Sequence, residues 1–214
     1  MNEQALNYIT AARVPERLKP QTFGPWIIQR VYPASLGRFS DKIWKVIDPG
    51  FVSVTFLKHI TLATLHLDGE TVMEDSLPEL RKHLPIWMSA EGRVLVTGLG
   101  LGCVVRGLLT KPEVDEIDVV EIDKHILRVV GHEFASNRRV HLHHGDAFHW
   151  EPGSRRYEWA WHDLWAEGPP HISLLHTRLM IRYREVVKRQ GAWGMPRYIR
   201  RRLYRGKDFF DWRF

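Results

Sequence analysis

Apolar and polar positions change rhythm partway along this chain. From Trp26 to Tyr32, Phe51 to Leu57 and His59 to Leu67, β-branched and aromatic residues gather in short runs that predict strands. Asp68-Gly69 supplies a tight hairpin turn, with Glu70 to Met73 as the returning strand. Ser76-Leu-Pro78-Glu79 is a capping box with a proline in the first turn, so a helix is expected to run to about Trp87 and to break at Glu91-Gly92. Strands and helices then alternate: strand 93–97, helix 102–110, strand 116–121, helix 123–134, strand 139–143, strand 158–163, a long helix 170–189 and a short strand 192–195. Such alternation predicts an α/β fold, a mostly parallel sheet with helices on both faces.

Three regions follow. Residues 1–90 form a small β-rich N-terminal extension with a hairpin and one helix, 91–196 the α/β domain, and 197–214 a basic, aromatic tail. Only about 19 residues follow Met195, so the sheet is expected to be shortened at its C-terminal end. The 214 residues suit one domain with an extension. No apolar stretch reaches the roughly 18 residues of a membrane span, and Asn2-Glu3-Gln4 does not read as a secretory signal. A single cysteine, Cys103, excludes an intrachain disulfide and a multi-cysteine zinc site, which makes the cytoplasm the expected setting.

The net charge of +6 is unevenly spread. Lys188 to Phe214 holds nine basic residues against two acids, a local +7, which leaves −1 for residues 1–187. The tail from Arg197 interleaves arginines with aromatics. Such a segment can engage phosphates and stack on unpaired bases, dock on a second subunit as a homodimer, or stand as a solvated helix.

Candidate chemistry sits at three strand ends. Val94-Leu-Val-Thr-Gly98-Leu-Gly100-Leu-Gly102 stops an apolar run at a glycine cluster, which lets the backbone turn sharply and approach a ligand closely. A dinucleotide pattern wants its third glycine three residues after the second. Here that place is Cys103, and Gly102 comes one residue early, which moves the reading from NAD toward S-adenosylmethionine. Glu121, 23 residues beyond Gly98 at the end of the second strand, can accept hydrogen bonds from both hydroxyls of a ribose, with Ile122 beside it. Asp123 serves equally well as a helix N-cap. After the third strand, Asp146 can accept from an adenine amino group while the Ala147 amide donates to a ring nitrogen, although Gly-Asp turns also occur for purely local reasons.

These motifs resemble those of class I S-adenosylmethionine-dependent methyltransferases over about Thr61 to Met195, most closely the spermidine-synthase-like branch. In that branch a Leu-Asp-Gly hairpin precedes a helix ending in His-x-Pro and then the glycine strand; the counterparts are Leu67-Asp-Gly69, His83-Leu-Pro85 and Val94 to Gly102. The resemblance implies a Rossmann-like methyltransferase fold, S-adenosylmethionine as cofactor, and Gly98, Gly100, Gly102, Glu121, Ile122, Asp146 and Ala147 as its binding residues. The chain departs from the branch at Leu101, where spermidine synthases carry an acid, and at Ala166, where they carry the second of two aspartates. The first of that pair is matched by Asp163. The tyrosine expected after the hairpin is missing from Glu74-Asp75-Ser76-Leu77.

Asp163 is therefore the catalytic candidate. It ends the fourth strand, where a carboxylate can orient a nucleophile or accept its proton, and Trp161 and Trp165 can wall a cation. Strand alternation turns His162 away from it. The Asn/Asp-Pro-Pro-aromatic motif of base-amino methyltransferases is absent, and Cys103 lies in the wrong place for pyrimidine C5 chemistry. His141, His143, His144 and His149 lack a completing acid or cysteine, so edge-strand roles are expected and no metal. The leading expectation is a methyltransferase acting on a small-molecule acceptor. Beside it stand a spermidine-synthase-like aminopropyltransferase, a non-catalytic cofactor-binding protein, and an RNA or DNA methyltransferase anchored by the tail.

Overall fold

The structure is a computed structural model and describes residues 3–31, 62–68, 70–164 and 172–194. The expected strand at Phe51 to Leu57 and the tail 197–214 lie outside the described residues, as does Trp165.

The N-terminal part builds an antiparallel sheet from β1 (Gln21–Phe23), β2 (Trp26–Val31), β3 (Leu62–Leu67) and β4 (Glu70–Glu74), paired in chain order. Asp68 takes a positive φ of 51° in the β3–β4 hairpin, a conformation that Asp tolerates in such turns. Strand β1 and one helix were not expected from the sequence. Helix α1 (Glu3–Ala12) buries Ala5, Tyr8, Ile9 and Ala12, a one-face helical spacing, against the α/β domain.

The single helix expected from Ser76 to Trp87 is two short ones, α2 (Leu77–Arg81) and α3 (Leu84–Ser89). Ser76 caps α2 through the amide of Glu79, as the capping box predicts. Pro85 lacks the amide proton that would continue α2, and it serves instead in the first turn of α3. The extension thus holds three helices among its described residues rather than one.

The α/β domain follows with β5 (Gly92–Thr97), α4 (Cys103–Leu109), β6 (Val114–Glu121), α5 (Lys124–Val129), β7 (Val140–His144), β8 (Tyr157–His162), α6 (Ile172–Tyr183) and β9 (Val187–Ala192). All five strands are parallel in the order β7-β6-β5-β8-β9, the reversal of direction falling at β5. This is a Rossmann-like α/β architecture. Alternate residues of the central strand feed two cores. Val94 and Val96 pack with α1, α3, α4 and α5, whereas Leu95 packs with Leu179 and Tyr183 of α6.

The long helix expected to Arg189 stops at Tyr183, and the last strand runs 187–192 rather than 192–195. No glycine or proline separates them, and the edge strand's Lys188, Arg189 and Gln190 look helical in isolation. Pairing with β8, from Tyr157 opposite Val187 to His162 opposite Ala192, decides the matter.

Candidate active site

A pocket of about 210 Å³ opens at the C-terminal ends of β5, β6 and β8, the usual ligand position in an open parallel sheet. Gly98 and Gly100 line it from the turn after β5, and Glu121, Ile122 and Asp123 line it from the end of β6. Asp163 and Leu164 come from the end of β8, and Trp26, Met73 and Glu79 from the N-terminal part.

The glycines are demanded by the protein's own packing. Gly98 has φ 89°, and a Cβ there would lie 2.0 Å from the Asp163 carbonyl oxygen. Gly100 presses on the Met73 sulfur, which accepts the Leu101 amide at 3.2 Å. Gly102 lies outside the pocket lining; it starts α4 in a left-handed conformation, with Phe134 against the place of its missing Cβ. Arg106 clamps the turn from beneath, donating to the Leu101 carbonyl at 2.6 Å and to Glu133 at 2.8 Å.

Glu121 is 8 % exposed and ties the glycine turn to the next strand end. One carboxylate oxygen accepts the Leu99 amide at 2.7 Å and the other the Asp123 amide at 2.9 Å. Each oxygen keeps a second lone pair. Asp123 both caps α5 through the His125 and Ile126 amides and accepts the indole N–H of Trp26 at 2.8 Å. Burial works against its charge, and those donated hydrogen bonds outweigh it, so its pKa is held below the ordinary value.

Asp163 is buried, with 7 % of its side chain exposed, and its amide is donated to the Thr97 carbonyl. Burial, with help from the charges of Glu79 and Glu121, pushes its pKa up to about 8. His83 lies close by, its Nε2 3.9 Å from Oδ2. Burial and the Lys82 charge push His83 down to about 3, so the ring is neutral.

Other expected residues lie apart from this cavity. Asp146 folds onto its own turn, accepting from the Phe148 amide at 2.9 Å and pairing with His149, and these contacts lower its pKa. Ala147 is buried, with its carbonyl taken by Tyr183. Neither belongs to the described lining. Trp161 does not wall the pocket; strand alternation sends it into the core beside His83, 4 % exposed. His162 bridges Thr97 and Gln190, away from Asp163. His143 on β7 bonds the buried Asp118 at 2.5 Å, joined there by Arg155. Among the described residues no group of three or more His, Cys, Asp or Glu could hold a metal ion, and no helix is long and apolar enough to cross a membrane. Cys103 is buried with its thiol pKa pushed up to about 12, chiefly by burial, which leaves it inert.

Trp26 and Met73 carried no motif of their own, and Glu79 stood only as the acid of the capping box. Only Glu79 could have been suspected, since the capping box places it one helical turn before the His-x-Pro histidine.

No protein-family model matches the chain. The chain is 40 % identical over 57 residues to ribosomal RNA small subunit methyltransferase A of Pseudomonas syringae pv. tomato, covering 27 % of this chain and 20 % of the relative. The protein of the same name from Pseudomonas fluorescens is 36 % identical over 73 residues, covering 31 % and 26 %. The matched stretches thus span about a fifth to a quarter of these curated relatives. Among solved structures, a candidate RNA methyltransferase from Pyrococcus horikoshii aligns over 58 % of this chain and 63 % of its own, at 18 % identity and TM-score 0.42. Spermidine synthase from Thermotoga maritima aligns over 46 % and 39 %, at 16 % identity and TM-score 0.39.

Proposed function

We propose that the chain binds S-adenosylmethionine and transfers its methyl group to RNA, with Asp163 as the catalytic residue. The observation that carries this reading is the convergence of Glu121, the glycine turn and the buried Asp163 on one pocket. The residues fit that cofactor. Glu121 retains lone pairs for ribose hydroxyls, and Ile122, 63 % exposed, offers apolar surface to an adenine ring. Four acidic residues, Glu79, Glu121, Asp123 and Asp163, line the cavity, with no lysine or arginine among its described lining residues. That lining suits a cationic sulfonium and repels the pyrophosphate of a dinucleotide.

When bound, S-adenosylmethionine supplies an electrophilic methyl carbon on a positively charged sulfur. Asp163, beside the glycine turn, orients the acceptor and takes its proton. The stretches shared with proteins named as ribosomal RNA methyltransferases support RNA over the small-molecule acceptor expected from the sequence. Leu101 and Ala166, which replace two acids of the polyamine synthases, argue against aminopropyl transfer.

Calorimetry with S-adenosylmethionine, its decarboxylated form and NAD tests the pocket. Binding of the first and not of NAD is expected, and absence of binding by either sulfonium overturns the reading. Methyl transfer from labelled cofactor into ribonuclease-sensitive material tests the acceptor. Label that survives ribonuclease excludes RNA.

A further inference from the structure

We propose that Met73 is a redox-sensitive latch on the pocket: its thioether holds the glycine turn, and its oxidation to the sulfoxide by a peroxide shuts the cofactor out. The proposal rests on the pocket being an S-adenosylmethionine site. Met73 reaches the turn through an irregularity in β4. Pairing with β3 sets Met73 opposite Leu65 and Thr71 opposite His66, which leaves Val72 as the extra residue of a β-bulge. In a regular strand, neighbours such as Val72 and Met73 point to opposite faces. Here both line the pocket. The bulge thus re-aims Met73 onto the turn that carries Gly98 and Gly100.

Two contacts fix the sulfur there. Sδ accepts the Leu101 amide at 3.2 Å, and a Cβ on Gly100 would lie 2.6 Å from it. A thioether is a weak acceptor, so the turn can exchange it for a better one. The side chain is only partly buried and borders the cavity, which gives a small oxidant a route to the sulfur. Other sulfurs nearby are less available. Cys103, the only thiol, is buried and inert, and Met180 is 4 % exposed in the core.

The oxidation balances with peroxide alone. A sulfur lone pair attacks one peroxide oxygen, and the S–O bond forms as the O–O bond breaks. The leaving hydroxide takes the proton of the transferred oxygen and departs as water. Sulfur gives up two electrons and the peroxide gains them. Geometry then sets the consequence. The sulfoxide oxygen is a strong acceptor, and an N–H···O bond needs about 2.9 Å by itself. With sulfur 3.2 Å from the Leu101 nitrogen, no oxygen fits between them, and Gly100 blocks retreat along the turn. Either the side chain backs into the cavity or the oxygen points into it. Both outcomes put polar bulk into a space of about 210 Å³ beside Gly98 and Glu121.

The test is calorimetry of the full chain with S-adenosylmethionine, before and after treatment with hydrogen peroxide and its removal. Peptide mass reports whether Met73 has gained an oxygen. The oxidised protein should bind at least about tenfold more weakly, and methionine sulfoxide reductases with a thiol should restore the affinity. M73L, checked for folding by its thermal midpoint, keeps every other methionine and should bind equally before and after peroxide. M73Q, which brings an amide oxygen to the same place, should bind weakly without any peroxide. Should M73L fail to fold, reversal by the reductases in the wild type decides. Full affinity in protein oxidised at Met73, an equal loss in M73L, or a loss that the reductases do not reverse overturns the proposal. So does wild-type affinity in M73Q, or a Met73 that stays reduced while the buried Met180 is oxidised. Failure of the untreated protein to bind appears before peroxide is added, and overturns the cofactor reading together with what rests on it.

Discussion

Gly98 and Asp163 meet backbone to backbone: a methyl group on Gly98 would lie 2.0 Å from the Asp163 carbonyl oxygen. The contact joins the turn after β5 to the end of β8, and so places the catalytic candidate against the glycine turn. Gly98→Ala must therefore move one strand end as well as adopt a φ of 89°. A stability loss of about 3 kcal/mol is expected. Gly153→Ala is the control, since it shares a positive φ but has open space around it, and it should cost about 1 kcal/mol. Equal losses in chemical denaturation would show that the close approach is not what constrains Gly98.

Asp163 has the opposite pH signature to an ordinary paired carboxylate. Its folded pKa is raised to about 8, above the unfolded value near 3.9. Stability from this group is therefore fully present below about pH 4 and is lost as pH rises toward 8, with a slope of at most about 1.4 kcal/mol per unit. Asp163→Asn abolishes that loss. The variant should gain on the wild type from pH 5 to pH 8 in denaturation midpoint while losing methyl transfer. A stability difference that does not change with pH would contradict the burial argument.

Glu121→Gln exchanges an all-acceptor carboxylate for a group with one donating end. One of the Leu99 and Asp123 amides then faces an N–H₂. A loss of about 1–2 kcal/mol in stability is expected. A weakening of S-adenosylmethionine binding by about tenfold or more should accompany it, measured by calorimetry. Full affinity would show that the ribose does not sit at Glu121.

Trp26→Phe keeps an aromatic ring, smaller than the indole, and removes the indole N–H that reaches Asp123 at 2.8 Å. This bond ties the antiparallel sheet to the cap of α5. Its loss should cost about 1–2 kcal/mol, because the acceptor is charged. Thermal unfolding of the single variant and of Trp26→Phe combined with Asp123→Asn gives the coupling energy. Strict additivity would mean the bond contributes nothing.

Much of the α/β domain was legible because its signals are local. Val94 to Thr97 and Val119 to Glu121 are apolar runs bounded by turn residues, and Asp123 caps the helix that follows. Helix α1 was not expected, although Ala5, Tyr8, Ile9 and Ala12 repeat at helical spacing. The end of α6 was not legible. Tyr183 to Val187 contains no breaker, and the strand that follows exists because β8 offers an open edge.

The candidate site divides in the same way. Local chemistry determined which backbone turns sharply and which carboxylates end strands, so Gly98, Gly100 and Glu121 could be named from order and spacing, whereas Asp163 was singled out by the family resemblance. Tertiary structure decided what faces them. Met73 lies 28 residues before Leu101 and Glu79 lies 84 before Asp163, and their approach depends on how the N-terminal part closes over the sheet. The charge state of Asp163 was likewise unreadable along the chain. It follows from burial beside two other carboxylates, a property of three-dimensional neighbours rather than of residue order.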